Sequence, residues 1–469
     1  MRRLRRLCAH YGNTRIVFVS CSATISKPDE HMKLMFGINR VKLINEDGAP
    51  HGKKEFILWN PPYNNPNDIS LGRKSSITET AGLFEYLLTR NVRIIAFCKL
   101  RKTCELLMKQ LRENLLSHQR KDLLDRVMSY RGGYIPQDRR KIEKKLFNGE
   151  LLGVVATNAL ELGMDIGTLD VVIMVGFPWS ISTLWQQSGR AGRRKTDSLT
   201  LVVADQGPMD QYYVHHPSEL FEKRLDDIHL QVEHSIILES HIQCAAEELP
   251  LDVGQDQVYF GSNIKKICQD YLVPINNQQL YRPHPRFRPY PSKFINIRSV
   301  TEEVYAVIDV TDGRHVVLEE IETTRAPFEI YEGAIFIHQG TTYLVEECNV
   351  DQRYAKVHLT RVDWTTVQRD YTNVDPINTL NSKYIRNTDH MVYFGEVLAA
   401  NKFNLVETSV FGYYRLDKRN RIIDACDVYM DPILRQSTGM WADIPRPALP
   451  QLEELDIDPM ASVHAAGSY

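Results

Sequence analysis

The stretch Gly153-Val154-Val155-Ala156-Thr157-Asn158 decides the fold class, because a short apolar run ends abruptly in polar residues. A continuous apolar run of this length is typical of a strand that is buried on both faces of a parallel sheet. Runs of the same kind occupy residues 54–59, 93–97, 171–175 and 199–204.

Helical patterns alternate with these strands. Apolar residues recur at helical spacing from Ser76 onward, and further helices are predicted over 103–116, 136–148 and 183–189. Strands that alternate with helices indicate βαβ units, which build a parallel sheet. We therefore predict an α/β fold with helices on both faces of that sheet. A further apolar run at 16–21 predicts one more strand.

The pattern changes after residue 205. Residues 238–249 and 263–271 are predicted to be helices, and 272–281 to be two short strands. Helices followed by a small hairpin indicate a winged helix, which is a form of helix-turn-helix domain. A Pro-rich connector of arginines and aromatic residues follows at 282–291; it is either a plain linker or a nucleic-acid contact. Alternating strands from 294 to about 423 predict a β-rich domain.

Composition and charge limit the possible functions. The chain has 469 residues, 43% of them apolar and 25% charged, which indicates several globular domains rather than a disordered chain. No apolar run is long enough to span a membrane. Residues 1–205 carry 33 lysine and arginine residues against 20 acidic ones, and the remainder carries 24 against 39. A basic half suggests a polyanionic partner, although solvated helix faces would give the same count.

The eight cysteines do not predict a metal site. They are scattered singly, none forms Cys-x-x-Cys, and no group of cysteine and histidine residues has the spacing of a zinc site. We expect them to be small buried residues of a protein from a reducing compartment.

The segment Trp185-Gln186-Gln187-Ser188-Gly189-Arg190-Ala191-Gly192-Arg193-Arg194 is the strongest candidate for chemistry. Arg190 and Arg193 stand three residues apart, so in a helical turn they share one face. Two guanidinium groups could grip a phosphate and stabilise the charge that develops when it is transferred. Taken alone, the same pattern also fits a pair of surface arginines.

Two further segments support a nucleotide site. Thr157 and Asn158 follow a strand, at the edge of an open α/β sheet where ligands bind. A little further on, Gly163 would permit close approach of the backbone and Asp165 could accept a hydrogen bond from a ribose hydroxyl. Ser22-Ala23-Thr24 follows the predicted strand at 16–21, and by itself it is weak support.

In this order, the segments resemble the motifs of superfamily 2 helicases. Ser22–Thr24 resembles motif III, 94–98 motif IV, 156–167 motif V and 186–193 motif VI. Gln186 stands where many RNA-remodelling relatives carry histidine, which points toward RecQ-like DNA helicases. This resemblance implies a RecA-like parallel sheet.

Within that superfamily, the chain is most similar to DNA helicases that have a winged helix and a C-terminal zinc-binding domain of the MrfA type. The stretches 130–134, 210–213 and 337–344 support this resemblance. It implies a motor that closes two RecA-like lobes around ATP, reopens on hydrolysis, and moves along a strand in the 3′→5′ direction.

The resemblance also implies residue roles. Arg190 and Arg193 would act as arginine fingers on the γ-phosphate, with Gln186 assisting. Gly163, Asp165 and Gly189 would line the nucleotide cleft.

The remaining residues would serve the nucleic acid. Thr157 would hold a phosphate of the tracking strand, beside Asn158. Ser22, Ala23 and Thr24 would couple the state of the nucleotide to the nucleic-acid groove.

One departure from the family matters: Gly-x-x-x-x-Gly-Lys-[Ser/Thr], the loop that cradles the β- and γ-phosphates, does not occur. We therefore expect residues 1–60 to be the remnant of a first RecA-like lobe with its linker, and 61–205 the second lobe. Residues 206–291 would be the winged-helix region with its Pro-rich connector. Residues 292–469 would be a β-rich domain that ends before the zinc site.

These expectations extend to cofactors and partners. ATP and Mg²⁺ would serve the parent protein, with the Mg²⁺ ligands and the zinc site outside this chain. Partners would be single-stranded or forked DNA, ATP and the missing first lobe, with no membrane. The resemblance implies the nucleus, and otherwise the cytoplasm.

Two functions remain open from sequence. The chain is either the C-terminal portion of an ATP-driven DNA translocase of the DNA-repair class, or a non-catalytic nucleic-acid-binding or regulatory module derived from one.

Overall fold

The computed structural model shows two compact units. One comprises residues 1–303 with 337–341, and the other comprises 304–336 with 342–469. The structure describes residues 1–22, 24–50, 52–161, 169–192, 196–275, 279–295, 303–373, 375–384, 391–398, 405–417, 421–436, 438–443, 448–455, 457–459 and 462.

The first unit is built on a six-stranded parallel sheet, as predicted. Its strand order is β1-β6-β5-β2-β4-β3. The strands are β1 Lys54–Trp59, β2 Ile94–Cys98, β3 Val127–Tyr130, β4 Gly153–Ala156, β5 Val171–Val175 and β6 Ser198–Val203. Five of them match predicted runs, whereas the four-residue edge strand β3 has too short an apolar pattern to stand out. Because β1 pairs with β6 along its whole length, the sheet begins before residue 61.

Helices cover both faces of this sheet, which confirms the predicted fold class. In β2, Ile94, Ala96 and Cys98 pack toward α3 and α4, while Ile95 and Phe97 pack toward α5 and α6. This alternation is the period of two that a strand imposes on its side chains. The helices of the first unit are α1 Arg2–His10, α2 Pro28–Phe36, α3 Ser76–Leu88, α4 Arg101–Ser117, α5 Pro136–Phe147, α6 Ile181–Ser188, α7 Pro208–His215, α8 Ser218–Glu222, α9 Ser235–Glu248, α10 Gln257–Phe260 and α11 Ile264–Tyr271.

The strand predicted at 16–21 is wrong. These residues have no regular structure, and Val17 and Val19 are 84% and 93% exposed. A strand is stable only when its backbone groups pair with neighbouring strands, and no strand among the described residues pairs with this run. Phe18 instead stacks on Phe36 of α2, with ring centroids 4.3 Å apart.

The winged helix is also confirmed. Helices α9 and α11 pack on a small antiparallel sheet, and the core includes Leu238, Ile242 and Ile264. Its strands are β7 Leu251–Asp252, β8 Val273–Ile275 and β9 Leu280–Arg282. The turn between β8 and β9 lies outside the described residues.

The basic N-terminal helix α1 docks on this winged helix. Arg6 is 5% exposed, and its guanidinium donates to Asp256 Oδ1 at 2.7 Å and to the carbonyls of Ala245 at 2.8 Å and Pro250 at 2.7 Å. A buried guanidinium that is paired and hydrogen-bonded on several sides avoids the penalty of an unpaired buried charge. The charge of this segment therefore serves packing within the unit.

The Pro-rich connector is anchored to the same domain. The backbone N–H of His284 donates to the buried Gln243 Oε1 at 2.9 Å, and Arg286 and Arg288 pair with Glu239 and Glu247 of α9. These contacts favour the linker interpretation, since two of its arginines already have acidic partners.

The second unit is rich in strands, as predicted. Its core sheet has the order β11-β10-β14-β13-β12, in which β10 and β14 run parallel. The elements that follow the winged helix are β10 Val304–Asp309, β11 Val316–Glu322, α12 Ala326–Glu329, β12 Ile335–His338, β13 Thr341–Asn349, β14 Tyr354–Leu359, β15 Thr365–Asn373, β16 Asp375–Tyr384, β17 Met391–Leu398, β18 Leu405–Leu416, β19 Ile422–Asp427, β20 Ile433–Gln436, β21 Thr438–Ala442 and α13 Ala448–Glu454. In the described ranges of both units, no helix has the length and apolar character needed to cross a membrane.

A buried polar network joins two stretches that the sequence had singled out separately, 130–134 and 337–344. Glu105 of α4 is 2% exposed and pairs with Arg131 Nε at 2.7 Å. The same carboxylate accepts from the hydroxyl of Tyr134 and from the backbone N–H of Gly340, the latter at 3.0 Å. Burial is the main cause that raises the pKa of Tyr134, and the Glu105 charge adds to it.

Gln339 completes this network by mimicking a neighbouring strand. Its side-chain Oε1 accepts from the backbone N–H of Ser129 at 3.2 Å, and its Nε2 donates to the Ser129 carbonyl at 3.0 Å. Ser129 lies in β3, the edge strand, whose backbone groups need partners. One glutamine amide therefore closes part of the open edge.

We predict that Glu105→Gln destabilises the first unit by about 3–5 kcal/mol, because it removes the buried carboxylate charge that pairs with Arg131 Nε at 2.7 Å. Urea unfolding followed by circular dichroism measures the change. The matched control is Asp122→Asn, which removes the partner of Arg120 from an exposed pair at 2.8 Å. We expect the control to have little effect, and equal shifts for the two variants would contradict the assignment.

Candidate functional site

The structure brings together residues of two sequence motifs that lie far apart in the chain. Gln186 in α6 donates from Nε2 to the Oγ1 of Thr24 at 2.6 Å, and Ser182 Oγ donates to the Thr24 carbonyl at 2.8 Å. Thr24 is 8% exposed, so its hydroxyl is held in place by burial as well as by these bonds. Thr24, a predicted coupling residue, thus contacts Gln186, the residue predicted to assist the arginine fingers.

A second contact ties the arginine motif to the loop after β4. Arg190 is 7% exposed, and its Nε donates to the backbone carbonyl of Glu161 at 2.9 Å, with a second bond from Nη2 to the same oxygen. Arg190 therefore does not lie on the outer surface. The sequence predicts that the Arg190 guanidinium is free to reach a phosphate. In this conformation, it binds the backbone of the segment that resembles motif V instead.

The Glu161 side chain completes this contact. Its carboxylate accepts from Gln187 Nε2 at 3.2 Å. Burial raises the pKa of Glu161, and the Gln187 hydrogen bond and the Arg190 charge partly offset that rise. Glu161 and Gln187 were not singled out in the sequence, although both lie inside the two motifs.

Gly189 ends α6 beside this contact. A Cβ at this position would lie 3.3 Å from the Trp185 carbonyl oxygen and 3.4 Å from that of Gln186, which is close for a side chain. Lys54 Nζ donates to the neighbouring carbonyl of Ser188 at 2.7 Å and so satisfies one of the last acceptors of the helix. The backbone angles of Gly189, φ −66° and ψ −6°, are right-handed, so the chain continues from the helix into the arginine motif.

The other sequence-predicted residues fall into two groups. Thr157 is buried and Asn158 is exposed at the carboxyl end of β4, the edge expected for a ligand site, and Ser22 is exposed. Ala23, Gly163, Asp165 and Arg193 lie outside the described residues.

The hydrogen-bond donors of Gln186 and Arg190 suit the phosphate oxygens of a nucleoside triphosphate. The Gln186 amide and the Arg190 guanidinium both offer N–H groups. Mg²⁺ prefers carboxylate and hydroxyl oxygens. Across the described positions, no cluster of three or more histidine, cysteine, aspartate or glutamate side chains could hold a metal ion.

Trp185, at the start of the arginine motif, is a packing residue. Its ring lies 6.0 Å from that of Phe56 and 5.8 Å from that of Phe221, centroid to centroid.

Two family models match the chain in the order that the fold shows. The helicase conserved C-terminal domain matches residues 79–195, and the winged helix domain of the ATP-dependent helicase HRQ1 matches residues 230–300. The first covers most of the parallel sheet, and the second covers the winged helix and its connector.

Curated relatives agree with these models. The chain is 48% identical to the ATP-dependent helicase HRQ1 of Saccharomyces cerevisiae and 42% identical to hrq1 of Schizosaccharomyces pombe, in each case over 99% of this chain. It spans 43% of the length of either relative. A helicase named YprA from Bacillus subtilis is 36% identical over 78% of this chain and 48% of its own length.

Solved structures give the same result. A crystal structure of the DUF1998 helicase MrfA bound to DNA matches with a TM-score of 0.81 at 30% identity, over 96% of this chain and 59% of that one. MrfA bound to DNA and AMPPNP matches with a TM-score of 0.76 at the same identity, over 92% of this chain and 57% of that one. The chain thus contains a helicase conserved C-terminal domain followed by an HRQ1-type winged helix, and it is similar to the C-terminal part of ATP-dependent helicases.

Proposed function

We propose that this chain supplies the second motor lobe, the winged helix and a β-rich domain of an ATP-dependent DNA translocase that moves 3′→5′. The observation that carries the proposal is the 2.6 Å bond from Gln186 to Thr24. It joins the segment that resembles motif VI to the segment that resembles motif III. ATP would supply the free energy of the cycle. Gln186 and Thr24 would couple the binding of its terminal phosphate to the nucleic-acid groove.

Several features support this role. MrfA has been solved bound to DNA and AMPPNP, and its fold matches this chain. Residues 1–205 are strongly basic, which suits a polyanion. Thr157 and Asn158 occupy the sheet edge where a strand would pass. By resemblance to the same family, we place the parent protein in nuclear DNA repair, with RecQ-like character and with single-stranded or forked DNA as substrate.

The arrangement also suggests how the arginine motif works. Arg190 holds the Glu161 carbonyl through two donors of its guanidinium, and Gln187 holds the carboxylate of the same residue. To bind a phosphate, the Arg190 guanidinium would have to release the Glu161 carbonyl and donate to a phosphate oxygen instead. Since both acceptors suit a guanidinium fork, we propose that Arg190 links the nucleotide to the motif V segment.

The first test breaks the central bond. In a polypeptide that carries this chain together with a phosphate-loop lobe, we expect Gln186→Ala or Thr24→Val to abolish most of the stimulation of ATPase activity by single-stranded DNA. The basal rate should fall less, and the double variant should resemble the single ones, because both remove one interaction. Steady-state ATPase assays with and without oligonucleotide measure this, and fully additive losses would refute direct coupling.

The second test concerns Arg190. In the same polypeptide, we expect Arg190→Ala to lower kcat for ATP hydrolysis by a factor of about 10³ or more, as loss of an arginine finger does. Binding of single-stranded DNA should change little, with the same dependence on salt. Arg140→Ala, on the exposed side of α5, is the matched control and should hydrolyse ATP normally. A variant that keeps its ATPase rate would exclude the finger role.

The alternative is a non-catalytic nucleic-acid-binding or regulatory module, and the missing phosphate-loop sequence favours it for the chain by itself. We expect the isolated chain to bind single-stranded DNA weakly and to release no phosphate from ATP. Filter binding of single- and double-stranded DNA at two salt concentrations, together with a malachite-green assay, tests both expectations. DNA-stimulated phosphate release by the pure chain would contradict the second.

A further inference from the structure

We infer that Trp179 forms a base-stacking subsite for single-stranded nucleic acid at the carboxyl edge of the parallel sheet. The inference rests on the proposed nucleic-acid function and adds a contact to it. Trp179 is 81% exposed and is the most exposed of the five tryptophans in the chain. The next most exposed, Trp59, is 38% exposed.

The backbone on both sides of Trp179 is fixed. The N–H of Phe177 donates to the buried Asp210 Oδ2 at 3.0 Å, and Gly176 has a φ of +75°, where a side chain would be strained. On the other side, Ser180 caps α6 by accepting from the N–H of Thr183 at 3.1 Å. The indole is therefore held out from a rigid turn, and its exposure does not come from a loose loop.

A cation lies against this ring. The Nζ of Lys99 is 5.4 Å from the centroid of Trp179, and it also pairs with Asp210 Oδ1 at 3.3 Å. Asp210 thus positions both Lys99 and the turn that carries the tryptophan. An exposed aromatic ring next to a positive charge has the two features that single-strand-binding proteins combine, a stacking platform and an attraction for phosphate.

The sheet topology places this pair in line with the predicted nucleic-acid residues. Trp179 follows β5, Lys99 follows β2, and Thr157 and Asn158 follow β4, while β2 lies between β5 and β4. Neighbouring strands are about 4.8 Å apart, so the carboxyl ends of these three strands span about 10 Å along one edge of the sheet. A strand held by its backbone at Thr157 would pass Trp179 within one or two nucleotides.

The test compares intact and abasic strands. We measure binding of a fluorescein-labelled single-stranded dT oligonucleotide, and of the same strand with abasic sites in place of the bases, to the full chain and to Trp179→Ala. We expect the variant to bind the intact strand about 5- to 100-fold more weakly, which is the range for loss of one stacked base. The abasic strand should bind both proteins equally, since it has no base to stack.

Two controls separate stacking from other causes. Trp179→Phe keeps a ring and should retain most of the affinity. Tyr86→Ala removes another exposed aromatic ring, which has the Arg90 guanidinium 3.5 Å from its centroid. Tyr86 lies near the end of α3, from which the chain continues to the amino end of β2, so it is not at the carboxyl edge of the sheet. We expect Tyr86→Ala to leave binding unchanged. The salt dependence of Trp179→Ala should equal that of the parent, because no phosphate contact is lost.

Each outcome decides the inference. If Trp179→Ala binds the intact strand normally, the stacking subsite is refuted. The exposure of Trp179 would then be better explained by a contact with another protein. Equal weakening toward intact and abasic strands would also overturn it. If the unsubstituted chain itself binds no single-stranded DNA, the proposed function fails as well, whereas normal binding by Trp179→Ala leaves the proposed function standing.

Discussion

The burial of a parallel sheet on both faces is the constraint from which the rest of the first unit follows. Strands such as β2, with every residue buried, can carry only small or apolar side chains along their length. In the central strands β2, β4 and β5, polar residues therefore stand beyond the strand ends, where the backbone turns toward solvent. In this chain the carboxyl ends carry Lys99, Thr157 and the turn before Trp179, so one edge of the sheet collects the polar chemistry.

The candidate site depends on contacts between motifs more than on any single residue. Thr24 is far from α6 in sequence, yet its hydroxyl and its carbonyl both bond to side chains of that helix. Arg190 and Gln187 in turn hold the backbone and the carboxylate of Glu161. Segments that resemble motifs III, V and VI are thereby linked through α6 and the residues that follow it. The hydrogen bonds to Glu161 are buried, and those to Thr24 are partly buried.

Polar networks also explain why short subfamily-specific stretches matter structurally. Glu105 satisfies Arg131, Tyr134 and the Gly340 N–H at once, while Gln339 pairs with the backbone of β3. None of these residues is close to the candidate site in sequence or belongs to a helicase motif. Their pattern in the sequence is nevertheless specific, since a buried carboxylate tolerates only partners of the right charge and geometry.

Sequence patterns alone predicted the α/β class, five of the six strands of the parallel sheet and the winged helix. Each of these depends on local patterns: apolar runs of strand length, helical periodicity, and short segments of fixed residue types. The strand predicted at 16–21 failed because a strand also needs neighbours, and local sequence does not reveal them. Local patterns do not reveal that Gln186 contacts Thr24, that Arg190 is buried against Glu161, or that Trp179 is exposed beside Lys99. These facts depend on which strands are adjacent and on how each turn is fixed, and such long-range relations are set by packing.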